Sequence, residues 1–165
     1  MRFLGFAVVT GAAILLGACG GGDSAATADT AAAGASAAAA APAAPAAGAM
    51  APITGTTHTV NMVGDGQGYR FEPADLTIAA GDGVKFVMVS GGPHNVAFDP
   101  ATLSAEAKTA LTANMPEQAG ELSGKMLLNA NEEYTVSFAG VPAGSYDYHC
   151  TPHLAMNMKG KITIK

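Results

Sequence analysis

The chain has 165 residues, of which 8 are Lys or Arg and 13 are Asp or Glu, so its formal net charge is −5 at pH 7. This composition excludes nucleic-acid binding, which needs clustered basic side chains against the phosphates. The length suits one domain with a single core, and 2 Cys are too few for a disulfide-rich scaffold.

The first 18 residues have the pattern of an export leader. Arg2 gives a positive start, residues 3–16 are mostly apolar over a stretch too short to span a bilayer comfortably, and small residues precede Cys19. Residues 16–19, Leu-Gly-Ala-Cys, match the bacterial lipobox, in which the leader is cut on the N-terminal side of a Cys whose sulfur receives a diacylglyceryl chain. We predict a lipoprotein signal peptide over residues 1–18 and lipidation at Cys19. An ordinary secretory signal cut near Ala18 is the alternative.

Residues 19–54 are rich in Ala, with scattered Gly, Pro, Ser and Thr and almost no large apolar side chain. Such a segment cannot bury enough surface to offset the entropy of ordering the chain. We predict a disordered linker that tethers the domain formed by residues 55–165 to a lipid anchor.

Within residues 55–165, apolar side chains recur mainly with the two-residue period of a β-strand. Gly, Pro and Asn separate the runs, as expected for many short strands in a sandwich or barrel. The predicted strands are Leu76–Ile78, Val84–Met88, Val96–Phe98, Tyr134–Phe138, Tyr146–Tyr148 and Ile162–Ile164.

One stretch has a different period. Leu103, Ala107, Ala110 and Leu111 are spaced as on one face of a helix, which predicts a short helix over residues 104–113. Residues 116–125 show neither period, and we predict only a loop there.

The chemistry is concentrated near the C-terminus. Cys150, His153 and Met158 lie within nine residues, and His94 lies upstream in the sequence Gly-Gly-Pro-His-Asn. One thiolate, two imidazoles and a weak axial thioether form the ligand set of a mononuclear blue-copper centre. Cys150 can end a strand, and a tight loop with Pro152 can turn His153 back toward the same ion. Met156 competes with Met158 as the axial ligand.

These motifs resemble plastocyanin and its bacterial relatives, the membrane-tethered auracyanin and halocyanin proteins. The resemblance extends from about Val60 to Lys165. It rests on the stretches Gly92-Pro-His-Asn-Val-Ala-Phe-Asp99, Tyr146-Asp-Tyr-His-Cys-Thr-Pro-His153 and Met158-Lys-Gly-Lys-Ile162, and on the entry segments Tyr69-Arg-Phe-Glu-Pro73 and Leu76 to Val84. The Cys-to-His spacing is that of plastocyanin-like sites, and Met158 holds the family's position for the axial ligand.

The resemblance implies an all-β, Greek-key β-sandwich of the cupredoxin type with one short helix. It also implies that the backbone N–H of Asn95 donates to the Cys150 sulfur and that the Asn95 side chain ties to Thr151. Pro93 and Pro152 are expected to shape the ligand loops. His153 would lie shallow, with its ring edge at an apolar docking face that includes Leu154 and Met156. His149 stands where plastocyanins usually have a Tyr that offers a second electron route, and strand alternation predicts that its side chain points outward.

We therefore predict a type 1 copper electron carrier that cycles between Cu(I) and Cu(II) and is not an enzyme. Its predicted partners are membrane redox proteins, with a cytochrome or quinol-oxidising complex as donor and an oxidase or reaction centre as acceptor. The protein is expected to be a monomer, exported and lipid-anchored to the outer face of a bacterial membrane. A periplasmic copper-binding and delivery protein is the alternative, because it needs the same soft ligands.

Overall fold

The computed structural model describes residues 49–165, which fold into two four-stranded sheets. The strands are β1 Thr57–Asp65, β2 Gly68–Glu72, β3 Asp75–Ile78, β4 Gly83–Met88, β5 Ala97–Phe98, β6 Glu133–Ser137, β7 Gly144–His149 and β8 Lys159–Ile164. One α-helix, α1, spans Ala105–Asn114, and short 3-10 turns occupy Pro100–Thr102 and Leu154–Met156. The predicted leader and most of the predicted linker, with Cys19, lie outside the described residues.

Both sheets are mixed. The first has the order β2-β1-β4-β6 and the second β3-β8-β7-β5; β1 runs parallel to β4 and β3 parallel to β8, while the other neighbours are antiparallel. From β2 to β7, each consecutive strand lies in the opposite sheet. The predicted β-sandwich with one short helix is therefore confirmed.

Alternation along the strands supplies the core between the sheets. In β4, Val84, Phe86 and Met88 are buried while Lys85 and Val87 are half-buried, as a two-residue period requires. The opposite sheet contributes Tyr148 from β7 and Ile162 from β8 to the same apolar cluster. This packing brings the strand ends that carry the ligand loops together at one pole of the domain.

The chain enters the domain at the other pole. Asn114 accepts a hydrogen bond from the Ala51 amide at 3.0 Å, and the Thr54 amide donates to the Gly81 carbonyl at 3.0 Å. Residues 51–54, predicted to belong to the linker, thus already bond to the domain. The backbone amides of Ala51 and Thr54 donate to the buried Asn114 side chain and to the turn at Gly81. The amino-acid composition of the segment could not predict these long-range bonds.

No helix among residues 49–165 has the length and apolar character needed to cross a bilayer.

Candidate metal centre

Three predicted ligands converge at the pole where β7 ends. Cys150 follows the last residue of β7, His153 follows in the next turn, and His94 precedes β5 in the opposite loop. The Cys150 Sγ lies 3.5 Å from His94 Nδ1 and 3.4 Å from His153 Nδ1, and the two Nδ1 atoms are 3.2 Å apart. All three side chains are buried.

Backbone hydrogen bonds within the segment hold the turn between Cys150 and Met158 in a compact conformation. The His153 amide donates to the Cys150 carbonyl, and the Met158 amide donates to the His153 carbonyl, each at 3.2 Å. The Cys150 amide in turn donates to the Met158 carbonyl at 3.1 Å. These bonds hold Met158 beside the other two residues and let β8 begin immediately afterwards.

Burial separates the two methionines that competed for the axial position. Met158 is completely buried, whereas Met156 is 55% exposed. Of the two thioethers, only that of Met158 is shielded from water together with the Cys and His side chains.

His94 is oriented by a backbone carbonyl. Its Nε2 lies 2.9 Å from the Ser90 oxygen, which can only accept a hydrogen bond, so Nε2 carries the proton. The lone pair of Nδ1 then points toward Cys150 and His153. A buried cluster of converging lone pairs and a thiol fits a soft cation, and ligands about 2.0–2.3 Å from one ion are roughly 3.2–3.8 Å apart.

The surroundings favour neutral imidazoles. Burial lowers the pKa of His94, and the hydrogen bond to Ser90 opposes this only in part. Burial also lowers the pKa of His153, and the neighbouring His94 lowers it further. Because metal ligation requires unprotonated nitrogen, both shifts favour metal over protons at neutral pH.

The Cys150 thiol experiences opposing effects. Burial raises its pKa, while hydrogen bonds from the backbone amides of Asn95 and His153 lower it. These two amides are donors that stabilise a thiolate, and such bonds tune the electron density on a metal-bound sulfur.

Asn95 links the two ligand loops. Its Oδ1 accepts a hydrogen bond from the Thr151 amide at 2.8 Å, and its Nδ2 donates to the Thr151 hydroxyl at 3.2 Å. Nδ2 also lies 3.0 Å from the Ser123 hydroxyl, a contact that the sequence reasoning did not include. Pro93 and Pro152 are exposed, each immediately before its histidine.

The segment between β5 and β6 supports the site from a third side. Leu127 forms a two-hydrogen-bond bridge with His94, and Ser123 pairs with Ala97. Leu127 is completely buried. Its apolar side chain predicts core packing, but the sequence does not predict its backbone pairing with His94. The loop therefore positions His94 and Asn95.

We expected the His153 ring to lie shallow, with its edge at an apolar face. The residue is 6% exposed, whereas His94 and Cys150 are completely buried. The ring of Tyr69, half-buried in β2, stacks on the His153 ring. Leu154 and Met156 are exposed, at 41% and 55%.

His149 lies beside the site but points away from the core. Tyr148 and Cys150 on either side of it are buried, whereas His149 is half-buried and lines an open groove with Asp99 and Lys159. Burial lowers the pKa of His149; Asp99 raises it and Lys159 lowers it. No contact in the described part of the chain gives it a role at the metal centre.

Comparison with known proteins agrees with this geometry. A sequence model of the family described as "Copper binding proteins, plastocyanin/azurin family" matches residues 58–165. The chain belongs to the plastocyanin/azurin family. It is a blue copper protein of the plastocyanin type, its cofactor is copper, and it is an electron carrier rather than an enzyme.

Individual plastocyanins match over most of the described domain. The chain is 37% identical to plastocyanin of Prochlorothrix hollandica over 117 residues, which are 70% of this chain and 78% of that protein. It is 36% identical to the chloroplastic plastocyanin of Physcomitrium patens over 107 residues, 64% of this chain but only 56% of that longer protein.

A solved structure also matches. Oxidised plastocyanin from Dryopteris crassirhizoma superposes with a TM-score of 0.52 at 32% identity, covering 65% of this chain and 99% of that one. The match supports the plastocyanin fold for the copper-binding domain.

Proposed function

We propose that the protein shuttles single electrons between membrane redox proteins by means of one copper ion held by His94, Cys150 and His153, with Met158 as the weak axial ligand. The observation that carries this proposal is the convergence of three buried donor atoms within 3.5 Å of one another. When bound, copper supplies one-electron chemistry between Cu(I) and Cu(II).

The residues of the chain keep the ligands in place during that cycle. The Ser90 carbonyl fixes the His94 ring, and the Asn95 side chain clips the His94 loop to the Cys150 loop. A buried ligand frame held by such bonds changes little when the charge of the ion changes. Small rearrangement favours fast transfer, and complete burial of Met158 and Cys150 excludes water.

Docking is proposed at the apolar surface beside His153, where Leu154 and Met156 are exposed. A small apolar interface suits a carrier that must release its partner quickly. The donor would be a cytochrome or quinol-oxidising complex and the acceptor an oxidase or reaction centre. The monomer is the proposed functional unit.

We further propose export and a lipid anchor. Residues 1–18 would be the signal peptide, Cys19 the lipidated residue and residues 19–54 a linker to a bacterial membrane, on its outer face. The direction of β1 supports this arrangement. Thr57 begins β1 at the chain's entry pole and Gly64 lies near the metal centre, about 23 Å away for a strand rising roughly 3.3 Å per residue. An anchor at the entry pole leaves the metal pole free.

Two measurements test the proposal. The copper-loaded protein should cycle reversibly in voltammetry and should keep its copper against a strong chelator in both oxidation states. A copper-delivery protein would instead release Cu(I) readily to the chelator. For the anchor, mass spectrometry of the mature protein should find a diacylglyceryl group on an N-terminal Cys19; a mature protein without that lipid would contradict lipidation.

A further inference from the structure

The two imidazoles of the metal centre are oriented by different means. His94 has the Ser90 carbonyl 2.9 Å from its Nε2. Within residues 49–165, the polar contacts of the His153 ring are all at Nδ1, toward Cys150 and His94. The outer half of the His153 ring therefore needs another support.

Tyr69 supplies an aromatic face at that position. The rings of Tyr69 and His153 are parallel within 13°, and their centroids are 3.7 Å apart. The same Tyr ring meets the His94 ring edge-on, at a centroid distance of 6.1 Å and an angle of 66°. Tyr69 thus covers His153 from solvent and contacts both imidazoles.

The position of the Tyr69 ring depends on a glycine in the neighbouring strand. Gly64 pairs with Tyr69 in the β1–β2 register. A Cβ atom on Gly64 would lie 2.7 Å from Cε1 of Tyr69 and 2.8 Å from the Gly91 Cα. Real Cβ atoms essentially never come that close, so only Gly lets the ring occupy this place.

The same glycine is fixed to the His94 side of the site. The Gly64 amide donates to the Ser90 carbonyl at 2.9 Å, and the Ser90 hydroxyl donates to the Gly64 carbonyl at 3.0 Å. The Ser90 carbonyl also accepts a hydrogen bond from His94. The paired residues Gly64 and Ser90 therefore help to position both the Tyr69 ring and the His94 ring.

We propose that Tyr69 is a positioning residue that clamps the His153 imidazole by stacking, with Gly64 holding the clamp in register. The inference rests on the proposed function, because its purpose is a fixed copper ligand. Stacked aromatic pairs contribute modest energies beyond their buried area. Without the clamp, the His153 ring turns more freely about its side-chain bonds and releases copper sooner.

The test compares Tyr69→Leu, which removes the ring, with Tyr69→Phe, which keeps it. We expect a roughly two- to tenfold faster loss of copper to a chelator in Tyr69→Leu, from the usual strength of aromatic pairs, and a rate within about twofold of wild type in Tyr69→Phe. In the copper-free protein, NMR signals of the His153 ring should broaden in Tyr69→Leu only. Equal release rates and equally sharp ring signals in all three proteins would overturn the proposal.

A second variant guards against a Tyr69→Leu protein that does not fold. Gly64→Ala keeps Tyr69, and its added Cβ would meet both the Tyr69 ring and the Gly91 Cα. Where NMR shows that the Tyr69 ring has moved, the His153 signals should broaden as in Tyr69→Leu; a displaced Tyr69 ring with unchanged His153 signals would contradict the clamp. The copper-free measurement separates this inference from the proposed function. A wild-type protein that fails to hold copper defeats the proposed function, whereas the ring signals still report whether Tyr69 fixes His153.

Discussion

Asn95 connects the loops of two ligands through three side-chain hydrogen bonds, to Thr151 twice and to Ser123 once. We predict that Asn95→Ala lowers the free energy of unfolding by about 1–3 kcal/mol, because the Thr151 amide loses its acceptor. The reduction potential should also shift, since the loop that carries Asn95 also supplies an amide to the Cys150 sulfur.

Urea unfolding and voltammetry check both effects. Ser123→Ala removes only one of the three bonds and should cost less than Asn95→Ala. Identical reduction potentials and unfolding free energies in Asn95→Ala and wild type would show that the hydrogen bonds of the Asn95 side chain do not stabilise the site.

The two methionines near the site are predicted to behave oppositely. Met158→Leu conserves volume in a buried position and should cost less than about 1.5 kcal/mol of stability. It should raise the reduction potential, because the thioether proposed as a weak ligand that would stabilise Cu(II) is lost. Met156→Leu, at an exposed position, is the control and should leave the potential unchanged in voltammetry. A shift in Met156→Leu alone would assign the axial role to Met156.

At this scale the sequence predicted residue types better than contacts. The sequence was sufficient to predict the four proposed copper ligands, His94, Cys150, His153 and Met158, because a thiolate, two imidazoles and a thioether at that spacing are typical of a blue-copper site. Tyr69 could not, since a half-buried aromatic residue in a strand looks like core packing. Its stacking on His153 depends on the β1–β2 register and on Gly64, both of which are long-range features.

Among the elements, the helix was predicted to within one residue. Ser104 caps α1 by accepting a hydrogen bond from the Ala107 amide at 3.2 Å, and Ala107 and Leu111 lie on the buried face of the helix that the spacing indicated. The six predicted strands were found as β3 to β8. β1 and β2 were not predicted, although Val60 and Met62 alternate with Thr59 and Asn61 in β1.

Asp82, in the turn before β4, ties the entry of the chain to the domain. Its carboxylate accepts hydrogen bonds from the amides of Thr56 at 2.7 Å and Ala79 at 2.9 Å, and lies 2.8 Å from His58 Nε2. His58, in β1, is half-buried. The hydrogen bond with His58, followed by those from Ala79 and Thr56, lowers the pKa of Asp82.

Because the pKa of Asp82 is lowered in the folded protein, we can predict how its contribution to stability changes with pH. A carboxylate with a lowered folded-state pKa contributes stability that is complete above its ordinary pKa of about 3.9 and is lost as pH falls through the lower folded-state value. Asp82→Asn should therefore be less stable than wild type at pH 7, and the difference should shrink below about pH 4.

Unfolding curves at several pH values provide the check. Asp147→Asn, which changes an exposed carboxylate 3.5 Å from Lys161, is the matched control and should follow wild type. A constant difference between Asp82→Asn and wild type down to pH 2 would contradict the assignment.

Over the whole molecule, the fold places chain entry and metal centre at opposite poles. Docking at the metal pole predicts that Leu154→Ser combined with Met156→Gln slows electron self-exchange about tenfold, the equivalent of roughly 1.4 kcal/mol of lost apolar burial. The potential should stay the same, because neither side chain belongs to the ligand set.

NMR line broadening in mixtures of reduced and oxidised protein measures that rate. Thr57→Gln, at an exposed position of the entry pole, is the control and should exchange like wild type. If Thr57→Gln slowed self-exchange as much as the Leu154→Ser/Met156→Gln double variant, the docking surface would not be the apolar surface beside His153.

The central claim is that one copper ion is bound by the sulfur of Cys150 together with His94 and His153. Its most direct test is the visible absorption spectrum of the protein titrated with Cu(II). We predict an intense thiolate-to-copper band that saturates at one equivalent and disappears in Cys150→Ser. A colourless wild-type protein, or a band that persists in Cys150→Ser, would contradict the account.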